Sequence, residues 1–175
     1  MNNKQDILAI DPKAKVRRVK KGQVLLRKGD EWSPTFYVEK GLLRSYLVDT
    51  KGKEHIFLFA PEGWVIADVE SLEFRQSATL YIDCLEDSEV VEFDKNAIAE
   101  LKLPREALLG NIQLLYRRLA MLQHRVMMQM SAPAADRYAY FMELYPQLSK
   151  RVPQYMIASY LGITPQALST LRGRF

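Results

Sequence analysis

The sequence predicts an α+β protein in which an N-terminal antiparallel β-roll of jelly-roll type precedes a long helix and a C-terminal helix-turn-helix. Three observations lead to this fold class. Glycines separate short strand-like runs in the first part of the chain, the apolar period changes from strand to helix after Asp94, and residues 154–175 have the spacing of a two-helix turn motif. These changes divide the chain into segments 1–103, 104–131 and 132–175.

Glycine spacing predicts the β-roll. Five of the eight glycines fall between positions 22 and 63, and the last four of these five are 12, 11 and 11 residues apart. Strand-like runs lie between and after them: Gln23–Arg27, Thr35–Glu39, Leu42–Val48, His55–Phe59, Ala78–Asp83 and Glu89–Asp94. Short strands at this spacing, with no amphipathic helix between them, are typical of an antiparallel roll rather than a parallel α/β sheet.

The residues after the roll have a helical period. Lys95–Lys102 predicts a short helix, and Pro104 suits the first position of a long helix that ends before Pro133. Apolar residues of the long helix follow one another at steps of 4, 3, 4, 3 and 4: Leu108, Ile112, Leu115, Leu119, Leu122 and Val126. This spacing predicts a dimer seam at which two copies of the chain pair, and a helix that packs on its own domain is the alternative. An amphipathic helix over Ala134–Tyr145 follows.

The most specific motif is QYMIASYLGITPQALSTLRGRF, residues 154–175. A helix-turn-helix needs a small residue where its helices touch, a left-handed glycine in the turn and an apolar residue that docks the second helix. The residues at positions five, nine and fifteen of the motif suit these roles and are Ala158, Gly162 and Leu168. Thr164 is a suitable N-cap and Pro165 is tolerated at the first helical position, so the second helix begins at Thr164.

The second helix of this motif predicts double-stranded DNA as a partner. In such motifs the N-terminal residues of the second helix face base edges in the major groove, and here these are Thr164, Gln166, Ala167 and Thr170. Gln166 can pair bidentately with adenine, and Thr170 can contact a base or a thymine methyl group. Arg172 and Arg174 suit phosphates, where they add salt-dependent affinity without sequence preference. A helical hairpin that binds nothing is the alternative.

The charge distribution favours the same partner. The whole chain has a net charge of +4, but residues 116–175 carry a net +6 and residues 1–115 a net −2. A basic C-terminal third suits a polyanion, although a solubilising surface would have the same composition.

Other function classes find little support in the composition. Cys84 is the only cysteine, which excludes an internal disulfide, a cysteine-ligated zinc and an iron–sulfur cluster, and it indicates a cytoplasmic protein. The polar N-terminus lacks the apolar core of a signal peptide, and no apolar run approaches the ~20 residues of a membrane span. The two histidines, His55 and His124, fall on different elements, so we expect neither a metal site nor an enzyme.

Taken together, these motifs resemble the Crp/Fnr family of bacterial transcription regulators over almost the whole chain. Residues 22–91 resemble its cyclic-nucleotide-binding β-roll, residues 104–130 its dimerisation helix, and RVPQYMIASYLGITPQALSTLR its helix-turn-helix, in particular that of short members from Bacteroidetes-type bacteria. The resemblance implies a homodimer that binds DNA, a small-molecule effector in the roll and RNA polymerase as a further partner. It also implies a wing after the second helix, which we do not expect here because the sequence stops at Phe175.

The resemblance places the effector pocket at five residues: Ala67, Asp68, Gln76, Ser77 and Ala78. Nucleotide-binding members of the family hold the ribose with a Gly-Glu pair and the cyclic phosphate with an Arg-Ser/Thr-Ala sequence. Here Ala67 and Asp68 replace the pair and Gln76 replaces the arginine, while Arg75 in a strand would point to the opposite face. A charge-assisted hydrogen bond worth ~1.5–3 kcal/mol is thereby lost. We therefore expect a degenerate pocket that does not bind cyclic AMP.

Two further expectations follow from the differences between this sequence and the family's pattern. Thr170 stands where many members have the arginine that reads a guanine, so the target sequence should differ. The altered pocket and the missing wing also fit a second function, a dimeric ligand-binding protein that regulates a protein partner and keeps a vestigial helix-turn-helix.

Overall fold

A computed structural model of the protein describes Asp11, residues 14–94 and residues 105–173. These residues divide into two compact units, one before residue 105 and one from Arg105 onward. The predicted helix Lys95–Lys102, the predicted helix start at Pro104 and the predicted phosphate contact Arg174 lie outside the described residues.

The first unit contains two four-stranded antiparallel sheets. In spatial order, the first sheet consists of β1 (Lys15–Val19), β8 (Ser88–Phe93), β3 (Thr35–Lys40) and β6 (Val65–Ile66). The second consists of β2 (Val24–Leu26), β7 (Tyr81–Cys84), β4 (Leu43–Val48) and β5 (Glu54–Ala60). Apart from the β4–β5 hairpin, neighbours in each sheet are not consecutive in sequence, as in a roll, and the prediction of an antiparallel β architecture is confirmed.

The core of this unit draws side chains from both sheets. The buried cluster includes Phe36 and Val90 from the first sheet and Leu43 and Ile82 from the second, each of them fully buried. Burial of one such side chain stabilises the fold by ~1.5–3 kcal/mol. Cys84 belongs to the same cluster, and burial raises the pKa of its thiol to about 12.

Two strand predictions need correction, and strands β1 and β6 were not predicted. The sequence does not predict β1, because its lysine and arginines obscure the alternation of an edge strand. The strand predicted from Ala78 begins only at Tyr81. Arg75, expected in a strand, instead follows the short helix α1 (Val69–Phe74), where it takes a left-handed conformation with φ 52° and ψ 48°. Its backbone N–H caps that helix, so the argument from strand alternation does not apply to it.

The second unit is helical. Its long helix α2 spans Arg105–Ser131, and its 27 residues give it a length of about 40 Å. The remaining helices are α3 (Ala134–Leu144), α4 (Leu148–Arg151), α5 (Gln154–Leu161) and α6 (Pro165–Arg172). The short helix α4 is not predicted by the sequence, and α3 stops one residue before the predicted end. None of the described helices is both long and apolar enough to cross a membrane.

An aromatic group forms the core of the helical unit. Phe141 of α3 lies 5.5 Å from both Tyr145 and Tyr160, measured between ring centroids, and the two tyrosine rings meet edge to face at 6.0 Å. Ile157 and Leu168 are buried in the same unit. The helix pair α5–α6 is therefore anchored to α3 rather than extended into solvent.

Candidate nucleic-acid interface

The turn between α5 and α6 depends on one glycine. Gly162 has φ 67° and ψ 36°, a left-handed conformation that costs a residue with a side chain about 1–2 kcal/mol. The N–H of Ile163 donates to the carbonyl of Ala158 at 3.0 Å, and the N–H of Gly162 donates to that of Ser159 at 3.1 Å. These bonds satisfy carbonyls at the end of α5 and redirect the chain into α6.

The side chain of Thr164, the residue before α6, caps the start of that helix. The hydroxyl oxygen of Thr164 accepts a hydrogen bond from the N–H of Ala167 at 3.2 Å, and Pro165 occupies the first turn. Ala158 and Leu168 are completely buried, which lets the two helices approach and fixes α6 against α5. The structural roles assigned to these residues from sequence thus agree with the structure, although Thr164 is the cap and the helix begins one residue later.

The outer face of α6 is polar. Thr164, Gln166, Thr170 and Arg172 are exposed, and Ala167 is half-buried. The Thr170 hydroxyl donates to the carbonyl of Gln166 at 3.1 Å, so it offers an acceptor and a methyl group to a partner rather than a proton.

Sequence reasoning overlooked one candidate on this face. Ser169 is exposed and follows Gln166 by three residues, which places the two side chains on the same side of the helix. The spacing from Gln166 is the signal that could have identified it.

This region has an excess of positive charge, but it exposes fewer cations than the sequence suggests. No aspartate or glutamate occurs from residue 144 to residue 175, and Lys150 and Arg172 are exposed. Arg118 and Arg125, however, are half-buried, and burial lowers the pKa of both guanidinium groups. The net charge of residues 116–175 therefore overstates the positive charge at the surface.

The predicted dimer seam lies on an exposed face of α2. All six of its residues are exposed, with Leu115 at 68% and Leu119 at 59%. Met127 and Met130 extend the exposed apolar surface toward the end of the helix. A contiguous apolar stripe of this kind is characteristic of an interaction surface.

The predicted effector residues lie on both sides of α1 in the chain: Ala67 and Asp68 precede it, and Gln76, Ser77 and Ala78 follow it. Asp68 is almost completely buried, and its Oδ2 accepts from the N–H of Thr79 at 2.7 Å, the Thr79 hydroxyl at 3.0 Å and the N–H of Leu80 at 3.0 Å. Its Oδ1 accepts from the N–H of Ser71 at 3.2 Å. The carboxylate thus fixes the start of α1 to residues 79–80.

These internal bonds bear on the predicted effector pocket. The Asp68 carboxylate is taken up by internal donors, and the backbone N–H groups of Thr79 and Leu80 point at that carboxylate rather than at an external anion. Gln76 and Ser77 are exposed, Ala67 is half-buried and Ala78 is buried. The described residues also include no cluster of three or more His, Cys, Asp or Glu side chains that could hold a metal ion.

The two-sheet roll followed by a helical unit defines an antiparallel β-roll protein with an appended helical unit. The chain belongs to the cyclic nucleotide-binding domain family, whose model matches residues 16–103. One solved structure with the same fold is TTHA1359 of Thermus thermophilus, a transcriptional regulator of the CRP/FNR family, which agrees in fold with the resemblance found in the sequence.

Individual relatives support this placement. Electron transport regulator A of Shewanella oneidensis is 27% identical over 169 residues, which cover 90% of this chain and 67% of the relative. A CooA variant from Carboxydothermus hydrogenoformans has a TM-score of 0.71 at 20% identity, over 93% of this chain and 76% of its own. The c-di-GMP-responsive global regulator CLP of Xanthomonas campestris has a TM-score of 0.72 at 15% identity, over 97% of this chain and 88% of its own. At these identities the solved structures show a shared fold.

Proposed function

We propose that the protein is a cytoplasmic, homodimeric transcription regulator of the Crp/Fnr type that inserts α6 into the major groove of DNA. The observation that carries the proposal is the outer face of α6, where Gln166, Thr170 and Arg172 are exposed on a helix that is docked by Leu168 and capped by Thr164. Polar residues at the front of such a helix suit base edges, and the arginine at its end suits a phosphate.

Dimerisation through the seam of α2 would present this helix twice. Six apolar residues at alternating steps of four and three form a self-complementary stripe on α2, so a second copy of the same helix is the partner that fits it. A two-fold pair of recognition helices reads two half-sites separated by about one turn of DNA. RNA polymerase stays a predicted further partner.

The effector pocket is proposed to be degenerate. The internal hydrogen bonds of Asp68 support a roll that holds its own conformation without cyclic AMP. In this role the roll serves as a scaffold or responds to a ligand of different chemistry.

Binding to a random duplex over a salt series tests the DNA assignment. We expect the logarithm of the affinity to fall linearly with the logarithm of the salt concentration, with a slope of about −0.9 per phosphate contacted. Arg172→Ala should weaken binding to every sequence and make the slope shallower by about one unit. Arg105→Ala, which removes an exposed arginine at the opposite end of the helical unit, is the matched control and should leave the slope unchanged.

Selection of bound fragments from a random pool tests the base contacts. Gln166→Ala should relax the preference at one position of the selected site, at a cost of ~1–3 kcal/mol. Absence of binding at low salt, or binding that does not respond to salt, would contradict the DNA assignment and favour a regulator that acts on a protein partner.

A further inference from the structure

We propose that Arg125 and Arg137 form an arginine clasp that positions the recognition helix relative to the dimerisation helix. The inference rests on the proposed function, because it assigns positioning residues to DNA recognition. These two arginines lie on α2 and α3, outside the turn motif, and no base or phosphate contact was predicted for either of them.

The clasp holds the last two carbonyls of α5. The Nη2 of Arg125 donates to the carbonyl of Tyr160 at 3.0 Å, and the Nη1 of Arg137 donates to the carbonyl of Leu161 at 2.9 Å. Gln129, one turn after Arg125 on α2, adds a longer bond of 3.4 Å to the Tyr160 carbonyl. Side chains of α2 and α3 therefore converge on the last two residues of α5, which directly precede Gly162.

A second contact fixes the plane of Arg125. The guanidinium carbon lies 3.8 Å from the centroid of the Tyr160 ring, within the range of a cation–π interaction. The same residue of α5 thus accepts a hydrogen bond through its carbonyl and stacks through its ring. A planar guanidinium can make both contacts at once, whereas a lysine ammonium lacks the plane that stacks on the ring.

The position of the clasp has an electrostatic reason. The last carbonyls of a helix lack partners within the helix and carry its partial negative charge, so cations at this end are favourable. Arg137 also lies against the turn, since a Cβ built on Gly162 would be 3.6 Å from its Nη1. The two cations therefore stabilise the end of α5 and border the left-handed turn.

Because hydrogen bonds and ring stacking are directional, the clasp controls the orientation of α5 relative to α2. Partial burial of Arg125 opposes its charge and lowers its pKa, so an apolar side chain would fill this space at a smaller desolvation cost. What the hydrogen bonds and the stacked ring add is a fixed angle between α2, which carries the seam, and α5 with α6. A two-fold reader of spaced half-sites needs that angle, whereas salt-dependent attachment to a random duplex does not.

The test compares Arg125→Gln and Arg137→Gln with the parent on two DNA probes, a site selected from a random pool and a random duplex. We expect at least a tenfold loss on the selected site, a change below twofold on the random duplex and an unchanged salt slope. Arg125→Lys should recover part of the loss, since it keeps the charge but not the plane. Arg117→Gln, which removes an exposed cation from α2, is the control and should leave the ratio of the affinities for the two probes unchanged.

Other outcomes overturn the clasp. A parallel loss on both probes, with a slope shallower by about one unit, would make Arg125 a phosphate contact. Unchanged affinities on both probes would show that the contacts do not position the helix. All comparisons are made well below the melting temperature of each variant, and Arg125→Lys replaces Arg125→Gln should the latter not fold.

A measurement without DNA separates this inference from the proposed function. If the parent binds no duplex, the DNA assignment fails, and amide hydrogen exchange then decides on the clasp. We expect the N–H groups of Gly162 and Ile163 to exchange at least ten times faster in Arg125→Gln and Arg137→Gln than in the parent and in Arg117→Gln. Equal exchange in all four proteins would overturn the clasp.

Discussion

Arg44 holds Asp83 across the neighbouring strands β4 and β7 through two hydrogen bonds, Nε to Oδ1 and Nη2 to Oδ2, each 2.8 Å long. The two residues are directly opposite in the strand register. A third bond of 2.6 Å joins Nη1 to Glu54 of β5, and the guanidinium lies 4.2 Å from the ring centroid of Tyr46. Burial opposes the charge of Arg44, but the bonds to both carboxylates outweigh it, so its pKa lies above the ordinary value.

Asp83→Asn should therefore destabilise the roll strongly. It removes one charge of a buried, bidentate pair and leaves Arg44 poorly compensated, which costs ~3–5 kcal/mol. Glu54→Gln is the matched control, because its side chain is 39% exposed and such a contact contributes at most ~1 kcal/mol. Chemical denaturation measures the free energy of unfolding of both variants. An equal decrease in the two would show that the Asp83 pair stabilises the roll no more than the exposed Glu54 contact does.

Gly162→Ala should destabilise the helical unit. The left-handed backbone at this position costs alanine about 1–2 kcal/mol, and Gly162→Asn should cost less because asparagine tolerates this region. Gly110→Ala is the control in the opposite direction. Gly110 lies within α2 with no atom near the added Cβ, so alanine should stabilise the helix by up to about 1 kcal/mol. In thermal unfolding, the melting temperature should fall in Gly162→Ala and rise in Gly110→Ala. A higher melting temperature in Gly162→Ala would contradict the left-handed turn.

The hairpin after β4 should make stability depend on acidic pH. The Asp49 carboxylate bonds to Nε2 of His55 at 2.8 Å and accepts from the N–H groups of Lys53 at 3.0 Å and Lys51 at 2.8 Å, and these bonds lower its pKa from 3.8 to about 2. Because the folded pKa lies below the unfolded one, the stabilisation is present above pH 4 and is lost as the pH falls toward 2.

A carboxyl titration followed by NMR checks this shift. We expect a midpoint near 2 for Asp49 in the parent and a higher one in His55→Ala, still below 3.8 because the two backbone bonds remain. Asp49→Asn should lack this component of the stability loss between pH 4 and 2. A parent midpoint at the ordinary value would show that the hairpin bonds do not form in solution.

Local signals in the sequence account for the elements that were predicted well. Left-handed turns at Gly29, Gly41 and Gly52 require glycine, so their spacing reveals the strands between them. The cap and turn of α6 are equally local, since Thr164 bonds to a residue three positions away. Such features depend on near neighbours in the chain and can be identified without the tertiary structure.

The features that were missed depend on distant contacts. Helical periodicity places Arg118 and Arg125 off the seam, but it cannot tell whether an off-seam cation faces solvent or is partly buried, as Arg125 is against the ring of Tyr160. Likewise, the sequence places Asp68 at a ligand position, but the direction of its carboxylate follows from the path of residues 75–80. That path turns at Arg75, a non-glycine residue at positive φ, which no sequence pattern predicts.

Asp68→Asn should destabilise the roll without creating a nucleotide site. Four donors converge on the carboxylate, and an amide would direct its own N–H₂ group toward some of them, at a cost of ~1–3 kcal/mol. Ser77→Ala is the control, because an exposed hydroxyl changes stability by less than ~0.5 kcal/mol.

Cyclic AMP added to the parent and to both variants completes this test. A ligand at 100 times its Kd stabilises a protein by ~2.7 kcal/mol, so binding would raise the melting temperature visibly. We expect no rise in any of the three proteins. A dose-dependent rise in the parent would show that the roll binds the nucleotide in spite of the internal bonds of Asp68.

Leu119→Glu should convert the protein to a monomer. Leu119 lies in the middle of the seam and is 59% exposed in the single chain, so the substitution harms the monomer little. In a dimer it would bury a carboxylate from each copy in an apolar contact, at ~3–5 kcal/mol per unpaired charge. Gln113→Glu, an exposed change one residue beyond the seam position Ile112, is the control and should leave assembly intact.

Sedimentation equilibrium measures the outcome directly. We expect twice the chain mass of 20.2 kDa for the parent and for Gln113→Glu, and the single mass for Leu119→Glu. The loss of pairing should also lower affinity for a two-half-site DNA while sparing the weak attachment of one recognition helix to a random duplex, since only the dimer engages both half-sites at once. A parent that sediments at the single mass would show that the seam does not pair copies of this chain. The proposal of a homodimer that binds two half-sites would then be wrong.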